Sequence, residues 1–153
     1  MKIVSGGQTG VDRAALDAAL DRGVPCGGWC PAKRLDELGT IPERYPLQIL
    51  KRGSFRARTL RNVEDSDASV IFYFDELEGG TADTVAFCLK LKKPLKLIDA
   101  AQVSIEKAIE LLAAFTAKHR VFVLNVAGPR ASKDPRGYRY TYDVISGFLG
   151  RPA

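Results

Sequence analysis

Residues 68–74 read ASVIFYF, and this short run limits the fold more than any other stretch of the chain. It is nearly continuous in apolar and β-favouring residues, so it predicts a strand covered on both faces, as in a parallel sheet. Such a strand should be central, and it needs amphipathic helices above and below the sheet.

The flanking sequence supplies them. KIVS at 2–5 opens as a strand and passes through a glycine turn into VDRAALDAALDRG, where Val11, Ala14, Ala15, Ala18 and Ala19 share one helical face and Gly23 suits a C-terminal cap. VPCGGWCP at 24–31 leaves room for a second short strand, and residues 31–53, with three prolines and little periodicity, form an excursion of the kind that is often functional. Ser54 is a candidate N-cap for FRARTLRNVEDS, in which Phe55, Thr59, Leu60 and Val63 can face the core while Arg58 and Asn62 lie four apart on a neighbouring face.

Beyond the 68–74 strand, GGTADTVAFCLKLKK reads as a tight turn into a helix, closed by Pro94 ahead of the strand LKLID. Ile105, Ala108, Ile109, Leu112 and Phe115 stripe a helix from about Ser104 to Lys118, ended by the single histidine, His119. VFVLNV at 121–126 is a strand, and a last helix spans about Tyr138 to Leu149. Without an internal repeat or linker, the alternation predicts one α/β domain over residues 1–153: a Rossmann-like, open, mostly parallel sheet of about five strands with helices on both faces.

Composition narrows the function. With 46% hydrophobic and 27% charged residues the chain belongs with globular proteins rather than disordered or collagen-like ones. No apolar run approaches the roughly 18 residues of a membrane helix, and the N-terminus lacks a signal-peptide layout, so no membrane contact and a cytoplasmic location are expected. Cys26, Cys30 and Cys88 are too few and wrongly spaced for a zinc or thioredoxin-type centre, and read as reduced, partly buried thiols. No metal site made by side chains is expected.

The net charge of +5 is uneven. Between Lys33 and Arg61 eight basic residues face three acidic ones, and between Pro129 and Arg151 five face two. Two positive segments suit an anionic partner. The sequence carries no interleaved aromatic and basic residues and no DNA-reading motif, which disfavours nucleic acid and leaves a small anionic ligand or a plain solvated surface.

In an open α/β sheet, ligands sit beyond the carboxyl ends of the strands. Three loops there combine glycine with hydrogen-bonding or cationic side chains. Gly6, Gly7, Gln8, Thr9 and Gly10 follow the first strand, where glycines admit a ligand to the backbone, helix N–H groups favour an oxyanion, and Asp12 either steadies the helix start or receives a ligand hydroxyl. This is neither the dinucleotide fingerprint nor a P-loop. Gly79, Gly80 and Thr81 repeat the pattern, with Thr81 able to cap the helix. Gly128, Pro129, Arg130 and Ser132 add a charge and a hydroxyl, and Arg58 could reach the same edge. Tight turns, caps and solvated arginines are the plainer explanations of each part; convergence on one edge favours a single site.

Taken together, SGGQTGVDRAALDAAL (5–20), GGWCP (27–31), IPERYPL (41–47), RTLRNVEDSDAS (58–69), LEGGTADT (77–84), KPLKLID (93–99) and LNVAGPRASK (124–133) resemble the putative molybdenum carrier family over nearly the whole chain. That family is similar in fold to molybdenum cofactor carriers and to the cytokinin-activating phosphoribohydrolases. The resemblance implies a phosphorylated pterin, such as molybdopterin of the molybdenum cofactor, or another nucleotide-derived ligand at the glycine loops. It carries over to Arg58, Thr59, Asn62 and the Gly128–Pro129–Arg130 segment. Molybdoenzymes as acceptors and a homodimer follow from the same resemblance. AKRLDEL at 32–38 departs from the pattern: Lys33 stands for a glycine and Leu38 for an acidic residue, so Asp36 and Glu37 receive no role.

Three function classes result. A non-catalytic carrier, with no catalytic residue, would bury the ligand phosphate against backbone N–H groups and Arg130 and leave any metal to the ligand's dithiolene. A nucleoside-phosphate N-glycosidic hydrolase would need an acid or base. Where the related phosphoribohydrolases carry a glutamate after their Gly-Thr pair, this chain has Thr84, leaving Asp83 or Asp12 as substitutes. A plain interaction domain is the third.

Overall fold

The computed structural model describes residues 1–152. The elements follow one another as β1 (Lys2–Val4), α1 (Val11–Asp21), β2 (Cys26–Gly27), β3 (Trp29–Cys30), a 3-10 turn (Ala32–Arg34), β4 (Leu35–Asp36), β5 (Gly39–Thr40), β6 (Gln48–Ile49), α2 (Phe55–Glu64), β7 (Ala68–Tyr73), α3 (Gly79–Leu91), β8 (Leu95–Asp99), α4 (Ile105–Lys118), β9 (Val123–Ala127) and α5 (Gly137–Leu149). Five strands form an all-parallel sheet in the order β2–β1–β9–β7–β8.

The 68–74 run is an interior strand, as its composition requires, but the middle position belongs to β9. Leu124 and Val126 are fully buried there, while Asn125 interrupts the apolar run and hides the strand's centrality from the sequence. The strand also begins two residues later than VFVLNV suggests, with Phe122 left outside and exposed.

Side-chain alternation divides the sheet between two layers. Ala68, Val70 and Phe72 join Ile3, Leu124 and Val126 in the larger core with Val11, Ala15, Ala18 and Ala19 of α1, Ala108, Leu112 and Phe115 of α4, and Val144 and Ile145 of α5. On the opposite face Asn125 donates to Ser69 Oγ at 3.0 Å, and α2 and α3 close over Val63, Phe87 and Cys88. The helices are therefore on both faces.

Local chemistry sets the helix ends. Ser54 accepts from the Ala57 N–H at 3.3 Å and Ser104 from the Lys107 N–H at 3.2 Å, each an N-cap. Gly23, at φ 66°, ends α1 with the Gly23 N–H on Leu20 O and the Val24 N–H on Ala19 O. His119 is the C-cap of α4, its ring tilted against Phe115. Phe55 is a correction: it is 51% exposed, because it is the first residue of α2, where the chain enters the helix from an exposed stretch, and it joins no core cluster.

VPCGGWCP yields two two-residue strands, and the excursion has structure of its own. β3 pairs with β6, and β4 with β5. Leu16 of α1 buries Cys30, Ile41 and Tyr45 beneath the excursion, and the Arg34 guanidinium donates to Ile41 O, Pro42 O and Tyr45 O at 3.2, 2.6 and 3.1 Å. A guanidinium tying carbonyls together leaves no periodic trace in sequence. The backbone at Lys33 has φ 65°, the left-handed region where glycine is least strained. All three cysteines are free thiols.

Candidate functional site

A cavity of about 380 Å³ opens at the carboxyl edge of the sheet. Gln8 and Asp12 line it from the β1–α1 turn, Arg58, Thr59 and Phe55 from α2, Tyr73 and Phe74 from the end of β7, and Gly79, Gly80, Thr81 and Thr84 from α3. Ala127 lines it from the last position of β9, and Gly128, Pro129, Arg130 and Lys133 from the segment that follows. Gly6, Gly7, Thr9, Gly10, Asn62 and Ser132 do not reach it.

The first glycine loop serves the protein's own packing. A side chain on Gly6 would strike the Arg58 guanidinium, and one on Gly7, at φ 74°, would strike Leu47. At Gly10, with φ 81°, an added Cβ would lie 2.5 Å from Pro129 O and 2.8 Å from the Ala131 N, so this glycine lets two loops cross. The expected cradle of N–H groups is largely engaged: Gln8 N–H donates to Asp12 Oδ2 at 3.3 Å and Val11 N–H to Pro129 O at 3.2 Å. Gln8 Nε2 donates to Leu35 O. Gly128 approaches Phe72 O, where an added Cβ would lie 2.6 Å away.

The second glycine pair differs. Nothing lies within 4 Å of a Cβ built on Gly79 or Gly80, and both belong to the first turn of α3 rather than to a turn before it. The cap is Glu78, whose side chain makes no capping bond, so Thr81 is not the cap. The open α3 terminus therefore faces the cavity with its dipole and its first-turn N–H groups. Thr84 Oγ1 donates back to Gly80 O at 3.0 Å, and Thr59 Oγ1 to Phe55 O at 3.0 Å.

Four acidic residues, Asp12, Glu76, Glu78 and Asp134, and three basic ones, Arg58, Arg130 and Lys133, line the cavity, and Asp12 and Arg58 form its buried pair. Arg58 Nη1 lies 3.6 Å from Asp12 Oδ2, and the buried Arg58 Nε has no hydrogen-bond partner among the described residues. Burial pushes the Asp12 carboxyl up to about 6, against the opposing pull of the Arg58 guanidinium and the Gln8 N–H. A carboxyl poised there can donate or accept a proton near neutrality.

Beside the cavity, the carboxylate of Glu37 accepts from the hydroxyls of Thr9 and Ser132 and from the Ser132 N–H at 3.1 Å, and pairs with Arg130 Nε at 3.5 Å. The Ser132 and Thr9 hydroxyls hold this carboxyl below the usual range. Asn62 turns away altogether, its Oδ1 accepting from the Trp29 N–H and its Nδ2 donating to Trp29 O. Sequence reasoning missed Tyr73, Phe74 and Lys133. The carboxyl end of the 68–74 strand was the available signal for the two aromatics, since that end of any strand in such a sheet borders the ligand crevice.

Among the described residues no helix is long and apolar enough to cross a membrane. Among the described residues no group of three His, Cys, Asp or Glu side chains could hold a metal ion.

Comparison with known proteins agrees with the architecture. No curated protein matches. A solved structure of a putative molybdenum carrier protein from Syntrophus aciditrophicus SB is 48% identical, covering 97% of this chain and 94% of its own, with a TM-score of 0.95. The family model of the circularly permutated YpsA SLOG family matches residues 3–149. That match spans the sheet, both helical layers and every loop of the cavity, and the chain belongs to the circularly permutated YpsA SLOG family.

Proposed function

We propose that this protein is a carrier that holds a phosphorylated pterin, molybdopterin of the molybdenum cofactor in particular, or a related nucleotide-derived ligand, in the cavity at the carboxyl edge of the sheet. One observation carries the reading: the uncrowded α3 terminus at Gly79 and Gly80 and the Arg58 side chain line the same cavity. Helix N–H groups and a guanidinium together suit a phosphate monoester. Tyr73 and Phe74 offer aromatic surface to a heterocycle, and about 380 Å³ falls within the range of small-molecule sites.

The terminal phosphate lies at α3, with Arg58, Thr81 and Lys133 around it and Gln8, Asp12, Thr59, Gly128 and Pro129 completing the walls. Molybdenum is cargo in this reading and stays on the ligand's own dithiolene, since the cavity offers it carboxylates and hydroxyls rather than soft sulfur donors. Molybdoenzymes are the acceptors. The 48% identity to a protein described as a molybdenum carrier supports the ligand class. A homodimer is proposed on the strength of related folds alone.

The test is native purification followed by small-molecule mass spectrometry and molybdenum analysis. Co-purified pterin phosphate is the expected result; a clean protein that gains no thermal protection from pterin phosphates or AMP overturns the reading.

One observation favours a second reading, hydrolysis of a nucleoside phosphate at its N-glycosidic bond. Asp12, raised to about 6, could serve as acid or base in the cavity wall although Thr84 lacks a titratable group. Base release from AMP that disappears in Asp12→Asn would establish it.

A further inference from the structure

The corner beside the cavity is already occupied by a carboxylate of the chain itself. Oε1 of Glu37 accepts from the Thr9 hydroxyl and from the Ser132 N–H; Oε2 accepts from the Ser132 hydroxyl and faces Arg130 Nε. Two hydroxyls, a backbone N–H and a guanidinium converge on one pair of oxygens. Phosphate monoesters and carboxylates present acceptor pairs of the same kind.

Glu37 comes to this corner from the tip of a hairpin. Leu35 and Asp36 pair with Thr40 and Gly39, so Glu37 and Leu38 form a two-residue connection. The hairpin is anchored independently of Glu37: Gln8 Nε2 holds Leu35 O at 2.9 Å and Arg13 holds Asp36 at 2.6 Å. Withdrawing the carboxylate therefore needs rotation of one side chain and no movement of the hairpin. The Glu37 side chain is 19% exposed, which leaves solvent and solute a way in, and Arg130 borders the ligand cavity while it pairs with Glu37.

We propose that Glu37 is a built-in competitor for an oxyanion subsite: the Thr9–Arg130–Ser132 corner takes a phosphate or carboxylate group, and Glu37 fills it until that group arrives. A competitor of this kind lowers the apparent affinity by the fraction of time the corner stands open. It would also let an empty protein keep its cationic corner neutralised and release its ligand by exchange. The reading above seats the ligand's terminal phosphate at α3, so the group that takes this corner is a second oxyanion, and the proposal for the corner stands without that reading.

Calorimetric titration with inorganic phosphate and, separately, with AMP tests both parts. Glu37→Gln removes the charge at constant size, and Glu37→Asp keeps the charge on a side chain too short to reach. Both variants should bind phosphate roughly tenfold more tightly than the unmodified protein or better. Adding Arg130→Ala or Ser132→Ala to Glu37→Gln should cancel the gain. Unchanged phosphate affinity in both single variants, or a gain that survives those second substitutions, overturns the proposal. Loss of the folded circular-dichroism signal in both single variants also overturns it, showing Glu37 to be scaffold. AMP separates the two readings: if no form binds AMP while phosphate affinity rises as expected, the cavity reading fails and the corner stands. If AMP binds through Arg58 without any phosphate gain, the reverse holds.

Discussion

The side-chain amide of Asn62 grips the backbone of Trp29 from both sides, accepting from its N–H at 2.8 Å and donating to its carbonyl at 3.0 Å. Asn62 is buried, so it fastens β3 to α2 in a place water does not reach. Asn62→Ala should lower unfolding free energy by about 1–3 kcal/mol in urea titrations, the cost of orphaning such groups. AMP affinity of the folded protein should stay unchanged; a variant with normal stability and lost affinity would place Asn62 in the binding machinery instead.

The glycines should separate into two classes. Gly10→Ala forces a side chain into Pro129 O at positive φ and should destabilise the protein by several kcal/mol, on the order of 2–4, or prevent folding. Gly80→Val meets open space and should leave the melting temperature within a few degrees while closing the cavity to AMP. Similar thermal losses in both would show that the α3 terminus is packed like the first loop.

Asp12 gives the protein a pH signature. Its carboxyl moves from 3.8 to about 6 on folding, so the native state holds the proton more tightly than the unfolded chain. Its favourable contribution is complete below about pH 4, declines as pH rises through 6, and then levels. The difference in unfolding free energy between the unmodified protein and Asp12→Asn should therefore fall by roughly 3 kcal/mol at most between pH 4 and 7. A flat difference would remove the proton-transfer role offered to Asp12.

Arg58 should matter more to anion binding than Arg130. Arg58 is largely buried at the cavity wall with Nε unpartnered, whereas Arg130 is half exposed and paired with Glu37. Arg58→Met should cost roughly 1.5–3 kcal/mol of AMP affinity by calorimetry, the range of a charge-assisted hydrogen bond, and Arg130→Ala less. Arg52→Ala, on an exposed stretch, should cost least. The opposite order for Arg58 and Arg130 would move the phosphate to the 129–132 segment.

The elements legible in the sequence were those whose stability comes from repeating apolar spacing. α1 and α4 follow from their apolar stripes and helix ends, and β8 from the Pro94 that precedes it. Ser54, Gly23 and His119 stand at the helix ends to which the sequence assigns them. Illegible were features made by single polar contacts across long sequence separations. Asn125 meets Ser69 between strands, so the middle strand read as an ordinary one. Glu37 reaches Ser132 across 95 residues, and nothing local in AKRLDEL announces it. The cavity edge was foreseeable from the sheet topology, but the division of labour among its glycines was not. Glycine admits a ligand and a neighbouring loop equally well, and only the occupant of the space tells them apart.

The position of β9 has a consequence for how the molecule comes into being. Before residues 123–127 join, the chain holds two separate strand pairs, β1 with β2 and β7 with β8, and no ladder connects them. β9 then bonds to β1 on one side and β7 on the other. The segment leaving that strand, Ala127 to Arg130, is also a wall of the cavity. A nascent chain on the ribosome thus has neither a joined sheet nor a complete receptacle until residues 123–130 have emerged, and the capacity to hold a ligand arrives in the same step that joins the two halves of the sheet.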